Sequence, residues 1–151
     1  MSHPIPAVVD ALLAAVKATA AFKGVQVDDG PPTRGRSAPD AIGIGFDIQD
    51  LTPATAAVAP GFGNRRNESY ALTCSIDSFT GDAEDLAGRR SRAYALLDAM
   101  HALLAADPQL GDTCSWARIT RHAYRPYQAE TGAGVLIEFG VQVDATRFQG
   151  E

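Results

Sequence analysis

Lysine is absent from this chain after Lys23, and cysteine occurs only at Cys74 and Cys114. Two cysteines cannot build a disulfide framework, and 151 residues can bury a core without covalent or metal staples. There is no CxxC, and Cys74, Cys114, His101 and His122 fall at no spacing that suits a tetrahedral metal site. No zinc, other metal or cofactor is therefore expected, and both thiols read as reduced, small core residues. No apolar run is long enough to span a bilayer, so no membrane partner is expected. Ser2–Pro6 lacks the basic region of a secretory signal, and the chain is expected to be made and folded in a cytoplasm. With 13 basic against 18 acidic residues, the net charge is −5. Free duplex nucleic acid is not an expected partner, because phosphate binding needs a concentrated basic surface. The small arginine groups (Arg65 and Arg66; Arg89, Arg90 and Arg92; Arg118, Arg121 and Arg125) are surrounded by acidic residues. They read as solvated faces and local ion pairs, with contact to an acidic protein partner as the alternative.

What the chain does have is apolar periodicity. Val8, Val9, Leu12, Leu13 and Val16 recur at helical spacing, which predicts a helix over Pro6–Ala21, opened by proline and closed by Gly24. Val25–Asp28 reads as a short strand stopped by the turn cluster DDGPP, and residues 33–40 as an exposed loop. In AIGIGFDIQ, Ile42, Ile44, Phe46 and Ile48 share one strand face, while Gly43, Gly45, Asp47 and Gln49 share the other. Gly43 and Gly45 begin a dinucleotide-binding pattern. Ile48 stands where its third glycine belongs and no helix follows, which excludes that loop.

The stretch LTCSIDSFTGD, Leu72–Asp82, crowds a cysteine, hydroxyls and aspartates together as an active site would. Alternation gives a different answer. Tyr70, Leu72, Cys74 and Ile76 form an apolar face, while Ala71, Thr73, Ser75 and Asp77 form a wetted one. A core-facing thiol in mid-strand has neither the access nor the partner base that a nucleophile needs. Thr80 or Asp82 is expected to cap a helix over Asp82–Ala106, with Glu84 and Asp85 in its first turn. The helix's stripe is Leu86, Ala93, Leu97, Met100 and Leu104; Arg89, Arg92 and Asp98 face away, and His101 sits on the flank. ADPQLGD ends this helix. Thr113–Tyr124 reads as a strand whose chief apolar contributor is Trp116, and Pro126 is expected to limit pairing beyond it. After the turn TGAG, Val135, Ile137, Phe139, Val141 and Val143 alternate along a last strand able to form a hairpin with the one before.

The order α-β-β-β-α-β-β predicts an α+β two-layer sandwich, a mixed or antiparallel sheet with two helices on one face, in a single domain over 1–151. Between the second and third strands, Asp50–Asn67 is expected to be a long exposed loop. Phe62, Arg65 and Arg66 on it are candidate partner contacts, because aromatic and arginine side chains concentrate binding energy. The sheet has a polar outer face and few lysines to blunt its edges, which favours a homo-oligomer.

The runs SIDSFTGD, RRSRAYALLDAMHALLAADPQLGDTC and YQAETGAGVLIEFGVQVDATRF, with the element order before them, resemble the tail-terminator (tail-completion) proteins of long-tailed bacteriophages and related tail-like particles. The resemblance covers about residues 68–148 and lies in the succession of strand, TGD, long helix, DPQLG stop and terminal hairpin. It implies a structural virion subunit, assembled in the host cytoplasm, that forms a hexameric ring. The ring would cap the major tail tube protein, stop its polymerisation and face the head-completion or connector protein, with no enzymatic activity. Three alternatives stand beside it. One is a head–tail connector or other neck protein of the same particle. Another is an enzyme pairing Cys74 or Cys114 with His101 or His122, and the last is a small-molecule binding module.

Overall fold

The computed structural model describes residues 3–31, 38–53 and 65–148. Helix α1 (Pro4–Ala18) starts where the His3 ring, through Nδ1, accepts the backbone N–H of Ile5 at 3.3 Å, and two prolines in its first turn need no such partner. Its buried face is Ile5, Val8, Leu12, Leu13 and Val16. It stops three residues short of the expected end. Thr19 turns extended (φ −87°, ψ 126°) and its hydroxyl donates back to the Ala15 carbonyl at 2.7 Å. A short 3-10 turn, Ala20–Phe22, then buries Phe22, and Gly24 makes the bend at φ +81°.

Strand β1 (Gln26–Asp29) runs parallel to β2 (Asp40–Asp50). The remaining strands, β3 (Arg65–Thr80), β4 (Trp116–Ala129) and β5 (Gly132–Phe148), pair antiparallel, giving one five-stranded mixed sheet in the order β1-β2-β3-β5-β4. Helix α2 (Leu86–Ala106) precedes β4. The two helices cover the same side of the sheet, α1 over β1 and β2, α2 over β3, β5 and β4. The fold is an α+β sandwich. Its core joins the helix stripes to the even-numbered face of β3 (Leu72, Cys74, Ile76) and the odd-numbered face of β5 (Val135–Val143), all fully buried.

Several sequence expectations change. The alternation of β2 is interrupted between Gly43 and Asp47, where two extra residues oppose β3, and Gly45 takes φ +68° against the Val9 side chain. Ile48 still stands opposite Leu72, but the helices no longer reach it and it is 41% exposed. Helix α2 begins at Leu86 rather than Asp82. Thr80 and Asp82 instead close their own turns, the Asp82 N–H donating to Thr80 and the Glu84 N–H to Asp82. Arg89 and Arg92 turn back onto the sheet. Arg92 Nε donates to Asp40 at 2.9 Å, and Arg89 donates to Ser78, whose hydroxyl in turn donates to Asp40 at 2.6 Å. Pro126 does not end the β4 ladder, which continues to Ala129. As an edge strand β4 can place the missing donor outward. The loop expected at 33–40 falls mostly outside the described residues; Asp40 is already in β2.

Candidate functional site

Strands β2 and β3 run further than the sequence suggests and shorten the connection between them. Asp50 ends β2, and Arg65 and Arg66 are the first residues of β3 rather than loop residues; Phe62, within 54–64, lies outside the described residues. The root of the connection is fixed. Thr52 N–H donates to Asp50 at 2.8 Å, and Thr52 accepts the Ser69 N–H at 3.0 Å. Hydrogen bonds from Thr52, side chain first and backbone second, hold the Asp50 carboxyl below its usual range. Arg66 lies on the helix side, partly buried, and its Nε has no hydrogen-bond partner among the described residues. Two and four residues on, Tyr70 donates to Glu68 and meets His3 Nε2 at 3.1 Å. Because His3 Nδ1 accepts from Ile5, Nε2 carries the proton and donates to Tyr70. The buried Tyr70 hydroxyl is thereby satisfied.

On the uncovered side, this same end of the sheet carries a row that sequence reasoning did not find. Leu51 N–H donates to the Ser69 carbonyl, Ser69 stands opposite Asp144, and Asp144 stands opposite Trp116. Leu51 and Trp116 are 41% and 50% exposed at the two ends of the row, with polar groups between them. Trp116, the chief apolar side chain of its strand, faces away from both helices and is not a core residue. The Arg118 guanidinium lies 4.0 Å over its ring and donates to Asp144 at 2.9 Å. Ser69 donates to the other Asp144 oxygen at 2.6 Å. Desolvation, the largest single influence on Asp144, pushes its carboxyl up. The hydrogen bonds from Ser69, Arg118 and Gln142 together outweigh this and leave it below its usual range. A groove of about 400 Å³, lined by Pro53, Asn67, Ser69, Ser115 and Asp144 among others, lies beside the row. An indole and a guanidinium already held in place lose little freedom on binding, and both types are enriched where interfaces concentrate their energy. One signal was available in the sequence: Trp116 and Arg118 are two apart on a strand and so share a face.

The thiols are placed differently. Cys74 is fully buried, burial pushes its pKa up to about 12, and its Sγ lies 4.0 Å from the Leu72 carbonyl. Cys114 is half-buried, also raised by burial, with Sγ 3.7 Å from the Pro108 carbonyl. His122 is engaged with the Tyr94 hydroxyl at 3.2 Å, and His101 is exposed on α2. The structure does not bring thiol and imidazole together. In a thiol titration at pH 8, Cys74 is expected to stay unreactive until the protein is unfolded, and Cys114 to react slowly. Fast labelling of both in the native state would contradict this placement.

No family model matches the sequence, and no curated protein matches it. Among solved structures, a chain in the virion of a native gene transfer agent (GTA) particle aligns over 92% of this chain and 94% of that one, with a TM-score of 0.52 and 13% sequence identity. The two share a fold. The likeness runs through nearly the whole of both chains, helices and sheet together, and is not confined to one hairpin or helix pair.

Proposed function

We propose that this chain is a structural protein of a phage-type virion, and specifically a tail terminator: a subunit that forms a ring, caps the tail tube, stops its polymerisation and offers a surface to the head. The observation that carries the reading is the full-length fold likeness to a chain of a virion particle. The run of residues that resembles tail terminators narrows it to that role. In this reading the end of the sheet that holds the first residues of β3, with Arg65, Arg66 and Trp116, faces the tube, and Phe62 is proposed as a further contact. A stopper needs an adhesive surface on one side and no copy of the tube's own polymerising surface on the other. It needs no reacting group, and the buried Cys74 thiol and the engaged His122 fit a protein that works by contact alone.

Electron microscopy of tubes assembled with and without the protein tests this directly. Wild-type protein is expected to bind tube ends and narrow the length distribution. Arg65→Glu combined with Arg66→Glu is expected to weaken end binding at least tenfold, since like charge or lost charge at a contact changes affinity by kilocalories. Its circular dichroism should stay that of the wild type. Tubes of uncontrolled length with wild-type protein present would refute the terminator role, and binding to isolated connector without tube binding would reassign the chain to the neck.

A further inference from the structure

The two margins of the sheet are opposite in charge. Strand β1 covers only Ala41–Ile44 of β2, so from Phe46 to Asp50 the outer edge of β2 pairs with nothing among the described residues. These two strands contain Asp28, Asp29, Asp40, Asp47 and Asp50 and no lysine or arginine. At the far margin β4 pairs only with β5, and it contains Arg118, Arg121 and Arg125 and no acid. Some of these charges are already used: Asp28 is bonded to Gln26, Asp40 to Arg92, Asp50 to Thr52 and Arg118 to Asp144, and Arg121 lies over Gly140 and donates to Thr73 at 3.4 Å. Asp29, Asp47 and Asp50 on one side, and Arg121 and Arg125 on the other, are exposed.

The pairing register places the complements in the same rows. Asp47 stands opposite Thr73, Thr73 opposite Gly140, and Gly140 opposite Arg121. One row along, on the helix side, Ile48 stands opposite Leu72, Leu72 opposite Val141, and Val141 opposite Ile119. Ile48 is exposed, and beside Ile119 a groove of about 260 Å³ opens between α2 and β4, lined by Leu104, Ala105 and Pro108 among others. One margin thus offers an apolar side chain next to a carboxylate. The other offers a groove in which Leu104, Pro108 and Ile119 are joined by His101 and Arg118, with Arg121 one row along, at the same height along the strands.

We infer that the occupant of each margin is a second copy of this chain: the β2 edge of one copy meets the β4 edge of the next, with Ile48 entering the groove at Ile119 and Asp47 facing Arg121. This rests on the ring reading above and adds which surfaces make the ring. Unlike margins give a head-to-tail contact, and like margins repel, so the sheet cannot pair with itself two-fold. Because the matched groups share rows, successive copies need no shift along the strand direction. A repeat without such a shift does not climb into a helix, and it closes into a ring about an axis along the strands when the rotation between copies divides the full turn.

Sedimentation velocity of the full chain, alone and with tube protein, tests the contact. Asp47→Arg and Arg121→Asp are each expected to weaken self-association about tenfold or more, because each sets like charges against each other. The chain carrying both substitutions restores the pair with its polarity reversed and is expected to recover most of the assembly. Ile48→Glu, at an exposed position that leaves the core untouched, is expected to abolish it. Thermal unfolding confirms that each variant is folded. Single variants that assemble like wild type, or a doubly substituted chain no better than either single, would overturn the inference while leaving the ring reading in place. Loss of tube binding with self-association unchanged would assign the margin to the tube and overturn it too. A wild-type chain that stays monomeric at every concentration, tube protein included, would remove both readings.

Discussion

Replacing Phe139 by alanine is expected to lower the unfolding free energy by about 3–5 kcal/mol, the range for truncating a fully buried aromatic ring. Phe139 has no exposed surface and lies on β5, which is flanked by β3 and β4, beneath α2. Cys74 and His122 are its neighbours across the two ladders. No flexible margin is near to close over the space, so the loss combines the transfer free energy of the ring with an unfilled cavity. In a chain of this size the midpoint of thermal unfolding should fall by roughly 6–20 °C. Urea unfolding followed by circular dichroism measures it. A change under 1 kcal/mol would mean that the layer between sheet and α2 is loosely filled.

The second large effect is expected at Gly132, the first residue of β5. Its φ is +156°, and a Cβ there would lie 1.9 Å from the Thr80 carbonyl oxygen and 2.9 Å from the Phe79 ring. The obstacle is backbone of the neighbouring strand, which cannot rotate away as a side-chain tip would. Gly132→Ala must therefore push β3 and β5 apart at Thr80 and Ala133, which are paired. Backbone strain and the displaced pairing together are expected to cost roughly 3 kcal/mol or more. Gly111→Ala serves as the control. It also has positive φ (64°) but has nothing within 4 Å of the added carbon, so its cost should be limited to about 1 kcal/mol of conformational strain. Equal losses at both positions would show that contact with Thr80 does not matter.

The buried faces were easy to read from residue order, because a strand covered on one side must alternate. Tyr70 to Ile76 and Val135 to Val143 both keep that pattern. Errors arose where an outcome depended on what lies across the fold. Trp116 is the chief apolar side chain of its strand, yet β4 is an edge strand and the indole points to the side without helices. Arg89 and Arg92 fall on the outward arc of α2 by spacing, but their long stems reach Asp40, some fifty residues earlier in the chain. Thr80 and Asp82 are good caps in type, whereas each is used by a turn of its own. The row from Leu51 to Trp116 depends on the strand order β2-β3-β5-β4, which no local pattern encodes. Phe62, Arg65 and Arg66 remain a contact proposal, with the two arginines now on a strand.

The interruption in β2 inserts two residues, an even number, between Gly43 and Asp47. Side chains alternate with a period of two, so Ile42 and Ile48 keep the same side on either side of the bend. Loss of both extra residues would leave Asp47 and Ile48 on the sides they hold now, whereas loss of one would have to be absorbed by a one-residue bulge of the kind that β4 carries between Ile119 and Arg121.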